Sequence, residues 1–328
     1  MSALVESVDG CPCGSRDLAA PERAFRIGDI GFGLRRCRRC RRMLLDPRLA
    51  PGEIWAAYSD EYYGAGPRKF IGPIERVIAR FRDRRAAFAA RLPAGIPDHG
   101  TRRVLDIGCG SGQFLARLAH RGCVCHGTEL SAETGKRAAM VPGLKLRLGP
   151  LEAETYAPGA FDIISIWHVL EHLPDPDRVL GYCRRWLAPG GALLIAVPNA
   201  GSWQASLFGG SWFHIDPPRH LHHFNRESLT TVLVTAGFRV ERIRTLSWEQ
   251  NLYGILQSTL NALGFPRDEF YEVLKGNRSI ARPPRQILEA ALMAALTPIA
   301  LLLTVLEALF GRGGTLEIVA RGNEAPPR

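Results

Sequence analysis

The stretch Val104-Leu-Asp-Ile-Gly-Cys-Gly-Ser-Gly112 decides the fold, because an apolar segment leads directly into a glycine-rich turn. Short apolar runs bounded by turn residues are typical of buried strands. Gly108 and Gly110 lack a Cβ atom, so the backbone of this turn can approach a ligand closely. A helix predicted from Gly112 to His120 would offer its N-terminal N–H groups to a carboxylate. Asp106, at the end of the strand, would pair with a cationic group of the same ligand.

A dinucleotide site is the main alternative, and its fingerprint requires a third glycine that completes the pattern G-x-G-x-x-G. Gln113 takes that position here, and Asp106 would lie unfavourably close to a pyrophosphate. Glu129 ends the next predicted strand, where its carboxylate can accept hydrogen bonds from both hydroxyls of a ribose. The residues therefore favour a ligand with a ribose, an ammonium and a carboxylate over a dinucleotide.

Predicted strands and helices alternate from Thr101 onwards, which is typical of a parallel sheet covered by helices on both faces. Beyond the strands that end at Ile107 and Glu129, strands are predicted at 144–148, 161–167, 192–197, 238–246 and 315–321. Helices are predicted at 131–140, with Ser131 as N-cap, and at 176–187 and 225–236. The expected fold class is α/β, a Rossmann-like seven-stranded sheet with a helical insertion before its last strand.

Four motifs in this region together resemble those of class I S-adenosylmethionine (SAM)-dependent methyltransferases. They are VLDIGCGSGQFL, GTELS, FDIISIWHVLEHLPDP and LAPGGALLIAVPN. The resemblance implies a seven-stranded methyltransferase sheet with SAM as the cofactor. The N-terminal cysteine pairs, LLDPRL and YSDEYYG also resemble a bacterial subgroup with a zinc-ribbon front end, whose members modify glycans, lipids or secondary metabolites.

The resemblance also assigns the cofactor-binding residues. The glycine turn would line the methionine part, and Glu129 would hold the ribose. Leu151 and Glu152 would flank the adenine, although Pro150 stands where the family often has an acidic residue. Trp167 would lie beneath the sulfonium. The predicted cofactor-binding set is Asp106, Gly108, Cys109, Gly110, Gly112, Glu129, Leu130, Leu151, Glu152 and Trp167.

Histidines follow the predicted strands at the edge where open α/β folds bind ligands. His168, Glu171 and His172 have i, i+3, i+4 spacing, which would place them on one face of a helical turn. By the resemblance, His168 would also lie beneath the sulfonium. Methyl transfer to a hydroxyl needs a proton acceptor, or a metal that lowers the pKa of the hydroxyl. His168 and His220 are the candidates for a general base.

The alternative to a histidine base is a divalent metal at Glu171 and His172, with His168 and His220. It would be a second metal, in addition to the structural zinc described below. This arrangement resembles the E-x-x-E-H constellation of ubiquinone-type O-methyltransferases and small-RNA 2′-O-methyltransferases. His168 replaces the first glutamate here, which would favour zinc over magnesium. Glu171 and His172 could also simply cap and pack the loop.

Two close cysteine pairs near the start of the chain indicate a zinc ribbon. The pairs are separated by a hairpin-length stretch, and Gly14-Ser15 suits a tight knuckle. Four thiolates leave no open coordination position, so the zinc would be structural. The first pair has one spacer residue instead of two, and four thiols in an unstructured N-terminus are the alternative. The predicted ligands are Cys11, Cys13, Cys37 and Cys40.

The expected organisation has five segments. They are a zinc-ribbon-like module at 1–48, a helical linker or lid at 49–100, the SAM-binding core at 101–246, a helical apolar insertion at 247–313, and the last strand and tail at 314–328. Residues 290–306 carry no charge, yet a single membrane span would separate the final strand from its sheet. The insertion is therefore expected to be a buried helical hairpin, or to contact one leaflet through residues 287–310.

Composition sets further expectations. The net charge is +10, but arginines supply nearly all of it and are dispersed outside the segment 35–42. Nucleic acid is therefore not the expected partner. The N-terminus has no secretory pattern, and eight cysteines in a chain of this length do not indicate a disulfide framework. The expected location is the cytoplasm, with peripheral contact at the inner face of the membrane as an option.

These features predict O-methylation of a glycan, a lipid-linked intermediate or another small metabolite. The alternatives are an RNA methyltransferase, a sugar C-methyltransferase and a non-catalytic SAM-binding protein. The oligomeric state and the acceptor are not specified by the sequence.

Overall fold

A computed structural model describes residues 5–27, 29–50, 72–92, 100–267, 269–274 and 283–323. The chain divides into two compact units. The first unit comprises residues 1–75, 198–229 and 244–317, and the second comprises 76–197, 230–243 and 318–328. The first part of the expected helical linker, residues 51–71, lies outside the described residues.

Thirteen strands and nine α-helices are defined within the described residues. The strands are β1 (Val5–Glu6), β2 (Glu22–Ile27), β3 (Ile30–Arg36), β4 (Met43–Asp46), β5 (Arg48–Leu49), β6 (Arg103–Ile107), β7 (Val124–Glu129), β8 (Lys145–Leu148), β9 (Phe161–Trp167), β10 (Leu187–Pro198), β11 (His222–His223), β12 (Phe238–Arg244) and β13 (Thr315–Gly322). The helices are α1 (Gly72–Ala90), α2 (Gln113–Ala119), α3 (Ala132–Ala139), α4 (Pro176–Trp186), α5 (Trp203–Phe208), α6 (Arg226–Thr235), α7 (Trp248–Ala262), α8 (Glu269–Leu274) and α9 (Pro283–Leu309).

A seven-stranded sheet confirms the predicted fold class. Its strand order is β12-β13-β10-β9-β6-β7-β8, and the pairings among β6, β7, β8, β9 and β10 are parallel. The central strands β6 and β9 are mostly apolar, as expected for strands whose side chains are buried on both faces of the sheet. The final strand β13 lies between β12 and β10, so the chain returns to the sheet after the insertion.

The helices of the second unit follow local sequence signals. Ser131 caps α3 as predicted, because its hydroxyl accepts a hydrogen bond of 3.1 Å from the Thr134 N–H. Helix α1 lies within the segment 49–100 that is expected to be a helical linker or lid, and its buried side is formed by small residues. Ala86 and Ala89 are fully buried, whereas Val77 is exposed.

The first unit contains a four-stranded antiparallel sheet in the order β11-β4-β3-β2. Strands β2, β3 and β4 of this sheet belong to the N-terminal segment, whereas β11 follows β4 by more than 170 residues. His222 lies opposite Leu44 and His223 lies opposite Met43. Both histidines are buried within this sheet.

The insertion forms helices α7, α8 and α9. Ile255 and Leu260 of α7 pack against Met293 and Ala300 of α9. Helix α9 contains Pro298 and is long and apolar enough, by length and composition, to cross a membrane. The expectation of a buried hairpin is wrong for α9, because only its side facing the unit is buried and its outer side is exposed.

Candidate functional site

The glycine turn between β6 and α2 is held against β7 by its backbone. The N–H groups of Gly108 and Cys109 both donate to the Thr128 carbonyl at 2.9 Å. Gly108 has φ +71°, and a Cβ atom there would lie 2.5 Å from Cγ2 of Val169. Gly110 has φ +56°, and no atom of the described residues lies within 4 Å of the position that its Cβ would take. The turn therefore requires glycine for packing at Gly108 and leaves space beside Gly110.

Glu129 places a buried carboxylate beside this turn. Its two oxygens accept hydrogen bonds from three backbone N–H groups: Gly110 at 3.0 Å, Leu130 at 2.8 Å and Ser131 at 3.1 Å. These bonds fix the carboxylate at the carboxyl end of β7, because the turn and the start of α3 both contribute donors. A carboxylate at this edge can accept hydroxyl groups from a ligand through its remaining lone pairs.

Asp106 is the second buried carboxylate of the turn. The Ser165 hydroxyl donates to its Oδ1 at 2.5 Å. Burial raises the pKa of Asp106 from 3.8 to about 7, against the opposing effects of the Ser165 hydrogen bond and the charge of Arg85. Removing a carboxylate from water disfavours its charged form, and a cation close to it reverses that effect. The site is therefore suited to a ligand that brings an ammonium group.

The remaining predicted cofactor residues differ in exposure. Cys109 points its side chain into the core between β6 and β7, where burial raises the pKa of its thiol, so only its backbone can face a ligand. Leu130 and Glu152 are exposed, and Leu151 is half-buried. The segment after Glu152 is anchored by the Trp186 indole, which donates to the Ala153 carbonyl at 3.0 Å.

Two residues that the sequence analysis did not single out belong to this site. Ser165 holds Asp106, and the Arg85 guanidinium of α1 lies 3.7 Å from the centre of the Trp167 ring. The indole Nε1 of Trp167 is buried and has no hydrogen-bond partner among the described residues. Arg85 belongs to an arginine-rich helix with no feature that distinguishes it, and Ser165 is a single polar residue in an apolar strand.

His168 and Glu171 are brought together at the end of β9. The Nδ1 atom of His168 lies 3.4 Å from Oε1 of Glu171, which is 1% exposed. The prediction of a shared helical face is modified, because Leu170–His172 forms a 3-10 turn and His168 precedes it with φ +53°. A left-handed conformation costs a non-glycine residue about 1–2 kcal/mol and is often found at functional sites.

His172 and His220 lie in different units. His172 is half-buried, and its N–H donates to the Val169 carbonyl at 3.0 Å. His220 belongs to the first unit, where its Nδ1 lies 2.8 Å from the His214 carbonyl and its Nε2 lies 3.6 Å from Oδ2 of Asp216. Asp216 also forms an ion pair with Arg219. The imidazole of His220 is thus oriented by two contacts within its own loop.

The four predicted zinc ligands meet in the first unit. Their sulfur atoms all lie within 4.8 Å of one another, with Cys11 and Cys40 at 3.5 Å and Cys13 and Cys37 at 3.6 Å. These separations far exceed a disulfide bond of about 2.05 Å. They approach the spacing of about 3.8 Å expected for two thiolates on tetrahedral zinc, whose Zn–S bonds are about 2.3 Å. The cysteine cluster therefore has the dimensions of a zinc site.

The surroundings of the cysteine cluster favour a thiolate at Cys40. Arg42 is fully buried, and its Nε lies 3.2 Å from the Cys40 sulfur. The hydrogen bond with Cys11 and the charge of Arg42 lower the pKa of Cys40, whereas the same hydrogen bond and burial raise the pKa of Cys11. Gly14, with φ +83°, donates its N–H to the Cys11 carbonyl and closes the first knuckle. A metal cation would be stabilised by anionic sulfur ligands held in this way.

Comparison with known proteins gives a consistent family. Residues 74–243 match the model of the Methyltransferase domain family, Methyltransf_23. The chain is 29% identical over 161 residues to a ubiquinone biosynthesis O-methyltransferase of Paracidovorax citrulli, covering 46% of this chain and 68% of that protein. It is 26% identical over 208 residues to a protein of the same name from Xanthomonas euvesicatoria, covering 60% and 82%.

A solved structure shows the same fold. It is a chain in the complex between the Trm112 methyltransferase activator of Haloferax volcanii and a methyltransferase. The TM-score is 0.50 at 18% sequence identity, with 83% of this chain and 98% of that chain covered. The similarity supports the Rossmann-like sheet on which the glycine turn and both carboxylates are placed.

Proposed function

Because the chain belongs to the class I SAM-dependent methyltransferase family, we propose that it transfers a methyl group from SAM to a hydroxyl oxygen of a small-molecule, glycan or lipid-linked acceptor. One observation carries this proposal: Asp106 and Glu129 are buried on either side of a glycine turn with space beside Gly110. Burial makes the charged form of Asp106 costly without a cation, whereas the backbone donors of Glu129 leave it lone pairs for further hydroxyl groups. SAM offers both partners, an ammonium and a ribose diol.

We propose that the chain's residues bind SAM as follows. Asp106 accepts the methionine ammonium, and the N-terminal N–H groups of α2 face its carboxylate. Glu129 accepts the ribose hydroxyls, and Leu151 and Glu152 flank the adenine. SAM supplies a methyl group that its sulfonium already activates. The protein therefore has mainly to hold that group in line with the acceptor and to exclude water from it.

The pKa of Asp106 predicts the pH dependence of cofactor binding. The pKa is raised from 3.8 to about 7, so the unliganded protein holds a proton on Asp106 below neutral pH. Pairing with the ammonium requires the charged form, and binding must release that proton. We expect the affinity for S-adenosylhomocysteine, which keeps the same ammonium, to fall by roughly tenfold per pH unit below pH 7 and to be constant above it.

Calorimetry from pH 5 to pH 8.5 measures this dependence. Asp106→Asn should bind more weakly and lose the pH dependence. Equal slopes in both proteins would assign the titration to another group. The free energy of unfolding of the unliganded protein depends on pH in the opposite direction. Burial favours the protonated form of Asp106, so this residue contributes less to folding as the pH rises from about 4 to 7.

We propose that a histidine accepts the proton of the acceptor hydroxyl. His168 is the leading residue, because its left-handed backbone and the buried Glu171 carboxylate at 3.4 Å fix the direction of its ring. Glu171 would stabilise the imidazolium after proton transfer. His220, oriented by Asp216, is the second candidate. A divalent metal at Glu171 and His172 stays the alternative, which would replace the base by lowering the pKa of the hydroxyl.

Measuring the turnover of single variants distinguishes between His168, His220 and a divalent metal. Once acceptor screening with methyl-labelled SAM has found a substrate, His168→Gln should lower kcat by about 10²–10⁴-fold, the usual contribution of a general base. Its SAM affinity should stay unchanged. His120→Gln, at an exposed helix end, is the control and should retain wild-type kcat. Wild-type turnover in both His168→Gln and His220→Gln would exclude a histidine base. Loss of activity on chelation, restored by zinc or magnesium, would favour the metal.

We further propose that the cysteine cluster holds one structural zinc and that the protein is cytoplasmic. The thiolate-sized spacing and the buried arginine beside Cys40 support the metal. RNA is disfavoured as the acceptor, because the arginine-rich segment is occupied by contacts within the first unit. These contacts are Arg35 to the Ala19 and Val8 carbonyls, Arg36 to Glu22, Arg38 to Asp17, Arg39 to the Cys13 carbonyl, and Arg41 to Glu227. NMR analysis of the labelled product distinguishes O-methylation from C-methylation.

A further inference from the structure

Helix α9 has its polarity reversed relative to a helix on a water-exposed surface. Its polar side chains Gln286, Glu289, Thr304 and Glu307 are buried, with Glu307 2% exposed. Many of its large aliphatic side chains are exposed, with Leu302 at 59% and Leu309 at 76%, although Met293 packs inward against α7. A surface helix in water shows the opposite pattern, with apolar residues inward. The reversal indicates that the medium outside α9 is apolar.

The inward polar side of α9 is held by specific contacts, so the helix cannot simply be rotated. Oε1 of Glu307 accepts hydrogen bonds from Gln204 Nε2 at 2.8 Å and from the Gly314 N–H at 3.1 Å. Glu289 forms an ion pair with Arg285 of the same helix at 3.5 Å. Rotation that buried the leucines would break both Glu307 hydrogen bonds and leave the Gln204 amide and the Gly314 N–H without this acceptor, which is unfavourable.

The exposed apolar surface continues past the end of α9. Trp203 and Leu207 of helix α5 are exposed, and the Trp203 ring lies 5.2 Å from the ring of Phe310. The Trp203 N–H donates to the Arg312 carbonyl at 3.0 Å, which fixes the two segments together. We call this surface the apolar face; its members are Ile287, Leu288, Ile299, Leu302, Leu309 and Phe310, with Trp203 and Leu207 beside them.

The composition of the apolar face fits a lipid surface. At about 100° per residue, the apolar face spans about 140° of the circumference of α9, and the exposed Leu301 and Leu303 widen this arc to about 200°. This arc is wider than the stripe that a packed partner helix requires. No charged residue interrupts positions 290–306. The aromatic pair lies at one end. The exposed Arg312 follows Phe310 by two positions, and Nη1 of the exposed Arg226 lies 3.9 Å from the position that a Cβ atom of Gly311 would take. Tryptophan and arginine at the border of an apolar surface are typical of contact with headgroups.

The topology fixes how such a surface can meet a bilayer. Strands β12 and β13, before and after the insertion, are neighbours in one sheet, so the chain returns to the side from which it left. A helix of 27 residues is about 40 Å long and can lie along a leaflet. We propose that the apolar face inserts along the surface of an anionic bilayer, with Arg226 and Arg312 among the headgroups, and that the enzyme is a peripheral membrane protein.

Vesicle flotation of the full-length protein tests this proposal. We expect the wild type to float with vesicles of phosphatidylcholine and phosphatidylglycerol at 7:3, and less with phosphatidylcholine alone. Leu302→Glu/Leu309→Glu should reduce the bound fraction at least tenfold. The matched control, Met140→Glu/Leu148→Glu, introduces the same charges at exposed apolar positions of the second unit and should float like the wild type. Arg226→Gln and Arg312→Gln should each weaken binding to anionic vesicles about fivefold.

Two results would overturn the proposal. One is a wild-type protein that stays unbound to both vesicle types. The other is a Leu302→Glu/Leu309→Glu variant that floats like the wild type. If the wild type stays unbound and light scattering shows a dimer that this variant dissociates, the apolar face is an interface between two copies. SAM binding, measured on the same samples, is independent of all these outcomes and tests the proposed function separately.

Discussion

Gly110→Ala is expected to weaken SAM binding by about 10- to 100-fold, because inserting a methyl group into a filled space costs roughly 1–3 kcal/mol. The space beside Gly110 is clear of other atoms among the described residues, so the new methyl group would meet only the bound cofactor. The Gly110 N–H donates to Glu129 at 3.0 Å, so the turn lies directly beside the carboxylate proposed to hold the ribose. Calorimetric titration with SAM measures the effect.

Gly122→Ala is the matched control for backbone strain. Gly122 has φ +82° and, like Gly110, no atom of the described residues within 4 Å of its Cβ position, but it lies in the turn that precedes β7. Both variants should lose about 1–2 kcal/mol of stability, the usual cost of a left-handed conformation for a residue with a Cβ atom. Only Gly110→Ala should lose SAM affinity. Equal affinity in the two variants would mean that the cofactor does not contact the turn.

Loss of zinc is expected to have the largest effect on folding. The cysteine cluster lies within a small core with Val8 and Leu44, separate from the apolar core that other side chains of β3 and β4 form with Trp212 and Ile215. Structural zinc sites supply on the order of 10 kcal/mol of folding free energy. We therefore expect Cys37→Ser to unfold the four-stranded sheet at physiological temperature. The wild type should contain one zinc per chain, and strong chelation should reproduce the effect of the variant.

Metal analysis and limited proteolysis measure these effects. Cys123→Ser, a half-buried thiol of the second unit, serves as the control and should retain zinc and the wild-type melting curve. A Cys37→Ser protein that keeps the wild-type melting curve would show that the cluster needs no metal. Wild-type protein expressed with ample zinc, yet free of metal after purification without chelators, would lead to the same conclusion.

The α/β core could be predicted because its signals are local. The strand Phe161–Trp167 was predicted with the bounds that the structure shows, and β6 and β7 end at the predicted residues, Ile107 and Glu129. Parallel strands buried on both faces are read as short apolar runs, and the helices between them carry N-caps such as Ser131. Asp106 and Glu129 follow from the same logic, because each stands where a strand ends.

Features that depend on distant contacts could not be predicted. Strand β11 joins the N-terminal sheet from far along the chain, and two residues give no periodicity to detect. Arg85 and Ser165 gain their roles from Trp167 and Asp106, which are remote in sequence. The uncharged run of α9 was evident, but which side of the helix faces its unit depends on the buried contacts of Glu307.

The central claim is that the glycine turn and its two buried carboxylates bind SAM. Calorimetric titration of the zinc-replete protein with SAM, and with NAD for comparison, tests it most directly. We predict a Kd in the micromolar range for SAM, no binding of NAD, and loss of SAM binding in Asp106→Ala. Binding of NAD without SAM, or unchanged SAM affinity in Asp106→Ala, would contradict this account.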